Sequence, residues 1–300
     1  MVFDGKDLKN HARSLFVVKN IEKDGLFTED KVRSVTVESL CRSVSVKSIW
    51  RIPAATRFSR LAGGNNTLVL NETDHSWLTQ MGLVSFEQLM FGDMGCVMEK
   101  NHKTDIRRIE GYGRTAYLKR RLASPIKESV EKYILDRRAH TAPFTEYLHI
   151  CSLKRYQLPV MNVIAAGEHR RFGFPCFGFI LVDEVKGDRL DEVLSRTHIQ
   201  DTEVQFLQSF GTLLAKLHKN GFYSSLRLKD IIVTDINKAS LVMIDRETRH
   251  PYPRPQSKMK ARRSLYRSFR RIRRDMPAFD EHHTNVVMQS YRNYFSMTGD

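Results

Sequence analysis

The residues with the most chemical capacity lie between Leu217 and Arg249, in LHKNGFYSSLRLKDIIVTDINKASLVMIDRETR. A helix-type pattern ends in LAKLHKNG, a short loop follows, and two β-type runs, IIVTD and SLVMID, come next. Asp230 stands at the start of the first run and Asp245 at the end of the second. Hard cations such as Mg²⁺ prefer charged oxygen, so two carboxylates framing a strand pair are suitable metal ligands. Ser225 lies in the loop between helix and strands. Its hydroxyl is far too weak a base near neutral pH to take a proton from an alcohol.

These groups need elements to hold them, and the pattern of the chain supplies several. TEVQFLQSFGTLLAKLHKNG reads as a long amphipathic helix, with Val204, Leu207, Phe210, Leu213, Leu214 and Leu217 on one side and Gly221 as its stop. FPCFGFILVDEVKG is an apolar strand ending in an acidic pair and Gly187, and DRLDEVLSRT opens a helix after it. Upstream, TDIRRIEGYGRTAYLKRR reads as strand, glycine turn and strand, with Lys119 at the end of the alternating TAYLK. SPIKESVEKYILDRR and APFTEYLHICSLKRYQ have helical spacing, and LPVMNVIAAGE follows as a strand. FEQLMFGDMGCVMEKN is predicted as strand, turn and strand, with Gly92 and Gly95 in the turn. Residues 1 to about 75 are polar and mixed. Partial alternation through Val35, Val37, Leu40, Val44, Val46 and Ile49, and the short run in LAGGNNTLVLNETD, are their only strand signals.

Composition sets the outer limits. Forty-one per cent hydrophobic residues in 300 is ample for a core. No apolar run reaches the roughly 18 residues a membrane-spanning helix needs, and MVFDGKDLKNHARSLF lacks the apolar segment of a secretory signal. Cys41, Cys96, Cys151 and Cys176 are far apart, which argues against a zinc cluster or disulfide framework and for thiols in a reducing cytoplasm. The net charge of +15 asks for acidic partners, among them nucleic acid, anionic lipid and phosphorylated substrates. Much of it sits in SKMKARRSLYRSFRRIRRDM, after the proline-broken HPYPRPQ. On a helix Leu265, Phe269 and Ile272 share a side with Tyr266 beside them, an apolar seam in a basic surface. Such a segment, Lys258 to Arg274, suits a solvated helix packed on the domain, a surface docking on anionic lipid or lipopolysaccharide phosphates, or, with no recognised module beside it, nucleic acid.

The order of helix, loop, strand, turn, strand and terminal acid resembles the catalytic centre of protein-kinase-like folds. Aligned on Asp230-Ile231-Ile232-Val233, the loop places Tyr223 at the usual His, Ser225 at the catalytic Asp and Asp230 at the metal-binding Asn. The resemblance makes Lys119 the phosphate-holding lysine and Glu146 its helical partner, with Glu128 and Glu131 as alternatives. It makes Gly92 and Gly95 a glycine hairpin over the nucleotide, and Val182 to Val185 the adenine-bordering hinge, through Glu184 and Val185 above all.

More narrowly, the chain resembles the lipopolysaccharide core kinases that phosphorylate heptose or Kdo. The shared features are RRIEGYGRTAYLKRR, TEYLHICSLKRYQLPVMNVIAAGE, FILVDEVKG, LAKLHKNGFY, DIIVTD, LVMIDRETR and RRIRRDM. An acid-inducible branch of that family is similarly altered in the central loop. The resemblance implies an α+β, two-lobed protein-kinase-like fold using ATP and Mg²⁺, with Asp230 and Asp245 as metal ligands. The expected layout is an N-terminal extension over 1–82, an N-lobe over 83–182 and a C-lobe over 183–300. Three functions stay open: a cytoplasmic or membrane-peripheral kinase acting on a lipopolysaccharide core or lipid precursor, a catalytically impaired pseudokinase that scaffolds, and a basic nucleic-acid binder.

Overall fold

The computed structural model describes residues 33–34, 58–63, 65–122, 140–196, 200–245, 248 and 250–297. The predicted helix around Glu128 and Glu131 and the alternation from Val35 to Ile49 lie outside those residues.

An eight-stranded sheet, antiparallel throughout its seven longer strands, forms the first half. Its strands are β1 (Arg33–Ser34), β2 (Phe58–Gly63), β3 (Asn66–Asn71), β4 (Cys96–Lys100), β5 (Thr104–Gly111), β6 (Arg114–Arg121), β7 (Val163–Arg171) and β8 (Phe174–Asp183). They run in the order β1-β2-β3-β7-β8-β6-β5-β4. Strand β3 pairs with β7, and Leu68, Leu70, Trp77 and Leu78 are buried with Leu118 and Leu181. The sheet and its core therefore reach back into the stretch that sequence set apart as an extension up to residue 82.

Two short helices, α1 (His75–Gln80) and α2 (Phe86–Phe91), cover one face of the sheet. The second corrects the strand–turn–strand expectation for FEQLMFGDMGCVMEKN. Ser85 Oγ accepts from the Gln88 N–H while the Gln88 side chain accepts from the Ser85 N–H, a reciprocal cap that starts a helix instead. The other face carries α3 (Ala142–Arg155), packed on β7 and β8 through Phe144, Tyr147 and Ile150. Pro143 sits in its first turn, where a missing N–H costs nothing.

The second half is mainly helical, with α4 (Leu190–Arg196), α5 (Gln200–Lys219), α6 (Lys258–Asp275) and α7 (Glu281–Met297). It also holds a small sheet of β9 (Asp188–Arg189), β10 (Ile231–Asp235) and β11 (Ser240–Met243) in the order β11-β10-β9. The apolar side of α5, including Leu207, Phe210, Leu214 and Leu217, is the centre of this core. Helix α7 lies against it so closely that a Cβ on Gly211 would meet the Val287 carbonyl oxygen at 2.4 Å.

The seam of α6 turns inward. Leu265 and Ile272 are buried and Phe269 is half-buried in the same core, with Ser264 and Ser268 fully enclosed. The apolar seam therefore faces protein, and only the basic side, with Met259 and Tyr266, faces solvent. No helix among the described residues is long and apolar enough to cross a membrane.

Candidate active site

Strand β6 presents Lys119 and Arg120 to opposite faces, as alternation requires. Lys119 points toward the α3 side. There Glu146, nearly fully buried on α3, offers Oε1 at 3.3 Å from Lys119 Nζ. A buried carboxylate is costly unless paired, so the lysine is the reason this helix tolerates an acid there. On the other side of the ammonium, Asp245 Oδ1 lies 2.7 Å away. Burial pulls the Lys119 pKa down, but Glu146 and Asp245 outweigh it, and the net shift is upward. The ammonium stays charged across the physiological range.

Asp245 reaches this position through its backbone. Strand β11 ends at Met243, the Ile244 N–H bonds the Asp230 carbonyl at 2.8 Å, and Asp245 then adopts a left-handed φ of 49°. An L residue seldom takes that conformation, and aspartate is among the few that tolerate it. The same Ile244 bond brings Asp230 and Asp245 to one end of the β10–β11 pair.

Asp230 is held by a residue that the sequence reading passed over. Arg227 donates from Nε and Nη2 to the two oxygens of Asp230, each at 2.8 Å. Its Nη2 also stands 3.9 Å from Asp245 Oδ2. The 3₁₀ turn Leu228–Asp230 makes the contact possible, because it sets residues three apart on the same side. An arginine three residues ahead of a candidate ligand was the available signal. Asp230 bonding raises the Arg227 pKa further.

Ser225 is half-buried on the loop that ends in Arg227. Helix α6 braces that loop on both sides of it. Ser264 Oγ donates to the Ser224 carbonyl at 3.3 Å, and Ser268 Oγ accepts from the Leu226 N–H at 3.0 Å. Tyr223, at the expected His position, receives the Ser257 N–H on its hydroxyl at 2.8 Å. Its ring stacks with His218, whose Nδ1 is 3.0 Å from the Tyr291 hydroxyl.

The glycines expected over the nucleotide do not join this group. Gly92 ends α2 and its carbonyl accepts from Arg120, on the face away from Lys119. Gly95 has φ +72° and lies so near β5 that a Cβ would meet the Arg108 carbonyl oxygen at 2.4 Å. Both serve the packing of that face. The hairpin that flanks the Lys119 strand is β4–β5, since Lys119 pairs with Ile106 and Ile106 with Glu99. Its turn has no glycine: Asn101 Oδ1 closes it by accepting from the Lys103 and Thr104 N–H groups, each at 2.9 Å.

Where the hinge is expected, the Asp183 N–H bonds the Asn162 carbonyl and the Glu184 N–H bonds the Thr115 carbonyl. The Tyr117 hydroxyl donates to Glu184 Oε1 at 3.2 Å, and Arg114 grips both Asp183 oxygens at 2.6 Å. The Glu184 amide is thus already committed within the protein. Val185 packs partly buried against the α3-side core.

The family model for the lipopolysaccharide kinase (Kdo/WaaP) family matches residues 98–291, well over half of the chain. The chain belongs to this family. Among solved structures it is similar to WaaP in a complex with acyl carrier protein, at 16% sequence identity and a TM-score of 0.53. That match covers 75% of this chain and 88% of the other. It establishes the protein-kinase-like fold and leaves chemistry to the site. No curated protein matches the chain.

Proposed function

We propose that the protein is an ATP-dependent phosphotransferase of the lipopolysaccharide inner core, moving phosphate to a heptose or Kdo hydroxyl. The observation that carries this is Lys119 held between Glu146 and Asp245. Three separate elements meet there around one cation, in a chain of the lipopolysaccharide kinase family. Lys119 would hold phosphate oxygens, Glu146 would orient it, and the Asn101–Lys103 turn would lie over the nucleotide. A base donor at the hinge would come from Val185 rather than from the Glu184 amide, which is engaged.

The donor set fits Mg²⁺. Among the described residues no group of three or more His, Cys, Asp or Glu side chains is arranged to hold a metal ion by itself, but Mg²⁺ usually takes only one or two carboxylates and completes its shell with water and phosphate. Asp245, half-exposed, and Asp230 would hold it. Bound there, it would neutralise charge on the transferring phosphates. Arg227 already neutralises Asp230 and would set how strongly the metal is held. Ser225 would position the acceptor hydroxyl without acting as a base. Phosphoryl transfer depends chiefly on positioning and charge stabilisation, so the missing carboxylate slows the reaction without forbidding it. The cytoplasmic face of the inner membrane, where the basic side of α6 meets anionic lipid, is the place for such a reaction.

One observation favours a second reading. Ser225 at the base position and Arg227 seated on Asp230 would also suit a pseudokinase that binds nucleotide or glycolipid as a scaffold. Single-turnover transfer of labelled phosphate from ATP to core oligosaccharide separates the two. Transfer supports the kinase; nucleotide binding without transfer supports the scaffold.

A further inference from the structure

The solvent side of α6 contains a shallow hollow of about 440 Å³, lined by Met259, Arg262, Arg263, Tyr266 and Arg267. These residues recur at helical spacing and form one stripe. It is built unlike a merely solvated face. Met259 and Tyr266 are exposed apolar groups, 59% and 67% accessible, set among three guanidinium-bearing side chains. The stripe also touches the central loop directly, because Arg267 Nη2 donates to the Tyr223 carbonyl at 3.1 Å. The same helix, through Ser264 and Ser268, fixes the backbone on either side of Ser225.

We infer that this hollow binds the anionic head of a glycolipid acceptor, taking a sugar-borne phosphate or carboxylate on Arg262 and Arg263 and a sugar face on Tyr266. The inference rests on the kinase-family reading of the central loop and adds to it the acceptor's recognition site. Guanidinium groups match the planar, two-oxygen faces of phosphate and carboxylate. Met259 and Tyr266 give apolar contact that a free inorganic anion would not use. The seam of α6 is spent on the core, so binding must work through this stripe and not through burial of the helix in lipid. A headgroup held there lies beside the loop that carries Ser225, where an acceptor hydroxyl is needed.

The test compares two double variants of the full chain that remove equal charge from one helix, R262A/R263A in the hollow and R270A/R271A beyond it. Binding is measured by sedimentation with neutral vesicles containing purified inner-core lipopolysaccharide, and with phosphatidylglycerol vesicles of equal charge. Inorganic phosphate is added as competitor. The hollow pair should lose glycolipid binding by about tenfold or more, the loss expected for a charge-assisted contact. The outer pair should lose less, and both should weaken equally on phosphatidylglycerol. Phosphate at low millimolar concentration should compete poorly. All four arginines are exposed, so ATP affinity unchanged in both variants confirms intact folding. Equal loss of glycolipid binding in the two variants, or none in the hollow pair, overturns the inference. So does hollow-dependent binding of a single-stranded oligonucleotide with glycolipid binding unaffected, or full displacement by inorganic phosphate. Hollow-dependent glycolipid binding without phosphate transfer would leave the inference standing and sink the kinase reading alone.

Discussion

Arg227 occupies both oxygens of Asp230, at 2.8 Å each, and stands 3.9 Å from Asp245. One guanidinium thus neutralises the first carboxylate proposed to bind metal and lies within reach of the second. This makes the arginine a competitor of Mg²⁺ as well as a brace for the 3₁₀ turn before β10. In Arg227→Ala the apo protein should lose about 1–3 kcal/mol, the usual result of stranding a partly buried charge. Added Mg²⁺ should then raise its Tm more than it raises that of the wild type, because binding to the folded state alone is stabilising. Thermal melts across a Mg²⁺ series measure both effects. A variant with no greater Mg²⁺ response than the wild type would remove Asp230 from the proposed metal site.

The lysine contact makes a graded prediction. Lys119→Ala and Asp245→Ala should each weaken Mg²⁺–ATP binding by about 1–3 kcal/mol, the scale of a lost hydrogen bond to a charged group. Glu146→Gln should cost less, because the glutamine carbonyl oxygen can still accept from the Lys119 ammonium that Glu146 Oε1 meets at 3.3 Å. Isothermal titration with each variant checks the order. Wild-type affinity in both alanine variants would mean that nucleotide does not bind at this group.

What the sequence disclosed depended on how local each signal was. Asp245 stands out in sequence because β11 stops just before it, and Lys119 because alternation in TAYLK puts it opposite the buried Ala116 and Leu118. Gly92 and Gly95 misled because two glycines in an apolar stretch are compatible with a hairpin as well as with a helix end. The deciding signal was Ser85 followed three residues later by Gln88, a helix-start pair. The seam of α6 was legible as apolar. Its destination was not, because periodicity fixes which residues share a face and not whether that face meets protein or lipid. Arg227 went unnoticed because its role depends on the 3₁₀ turn that brings it round to Asp230.

A pH effect follows from His218. Burial holds its pKa down to about 4, against an ordinary value near 6.5. Between those values the unfolded chain binds a proton that the folded one does not, so acid favours unfolding. The stability carried by neutral His218 is complete above pH 6.5 and is lost as pH falls toward 4. The slope is at most about 1.4 kcal/mol per pH unit, or about 2 kcal/mol from pH 6.5 to 5. Asparagine keeps a polar atom near the Tyr291 hydroxyl, so His218→Asn should flatten this part of the profile. Urea midpoints at pH 7 and pH 5 for both proteins give the comparison. The same acid loss in both would place its origin elsewhere.

The last prediction concerns the loop that α6 braces. The Ser225 backbone is held from both sides by Ser264 and Ser268, so a new side chain there inherits a fixed position. A general base typically contributes about 10²–10⁴-fold to a rate, which bounds the deficit that Ser225 imposes if no other group compensates. Ser225→Asp should therefore raise single-turnover transfer to core sugar while leaving ATP affinity nearly unchanged, since the base would touch the acceptor hydroxyl and not the nucleotide. Arg227, two residues on, already carries its charge to Asp230, so the added carboxylate enters a loop with a cation close by. Tyr223 is tied to Ser257 and stacked on His218, so restoring histidine there would break contacts that hold the loop. The single change is consequently the cleaner experiment, and Tyr223→His should lower stability without adding rate. Rapid transfer by the wild type that slows in Ser225→Asp would show that the acceptor proton leaves by another group, and that the loop is already a working one.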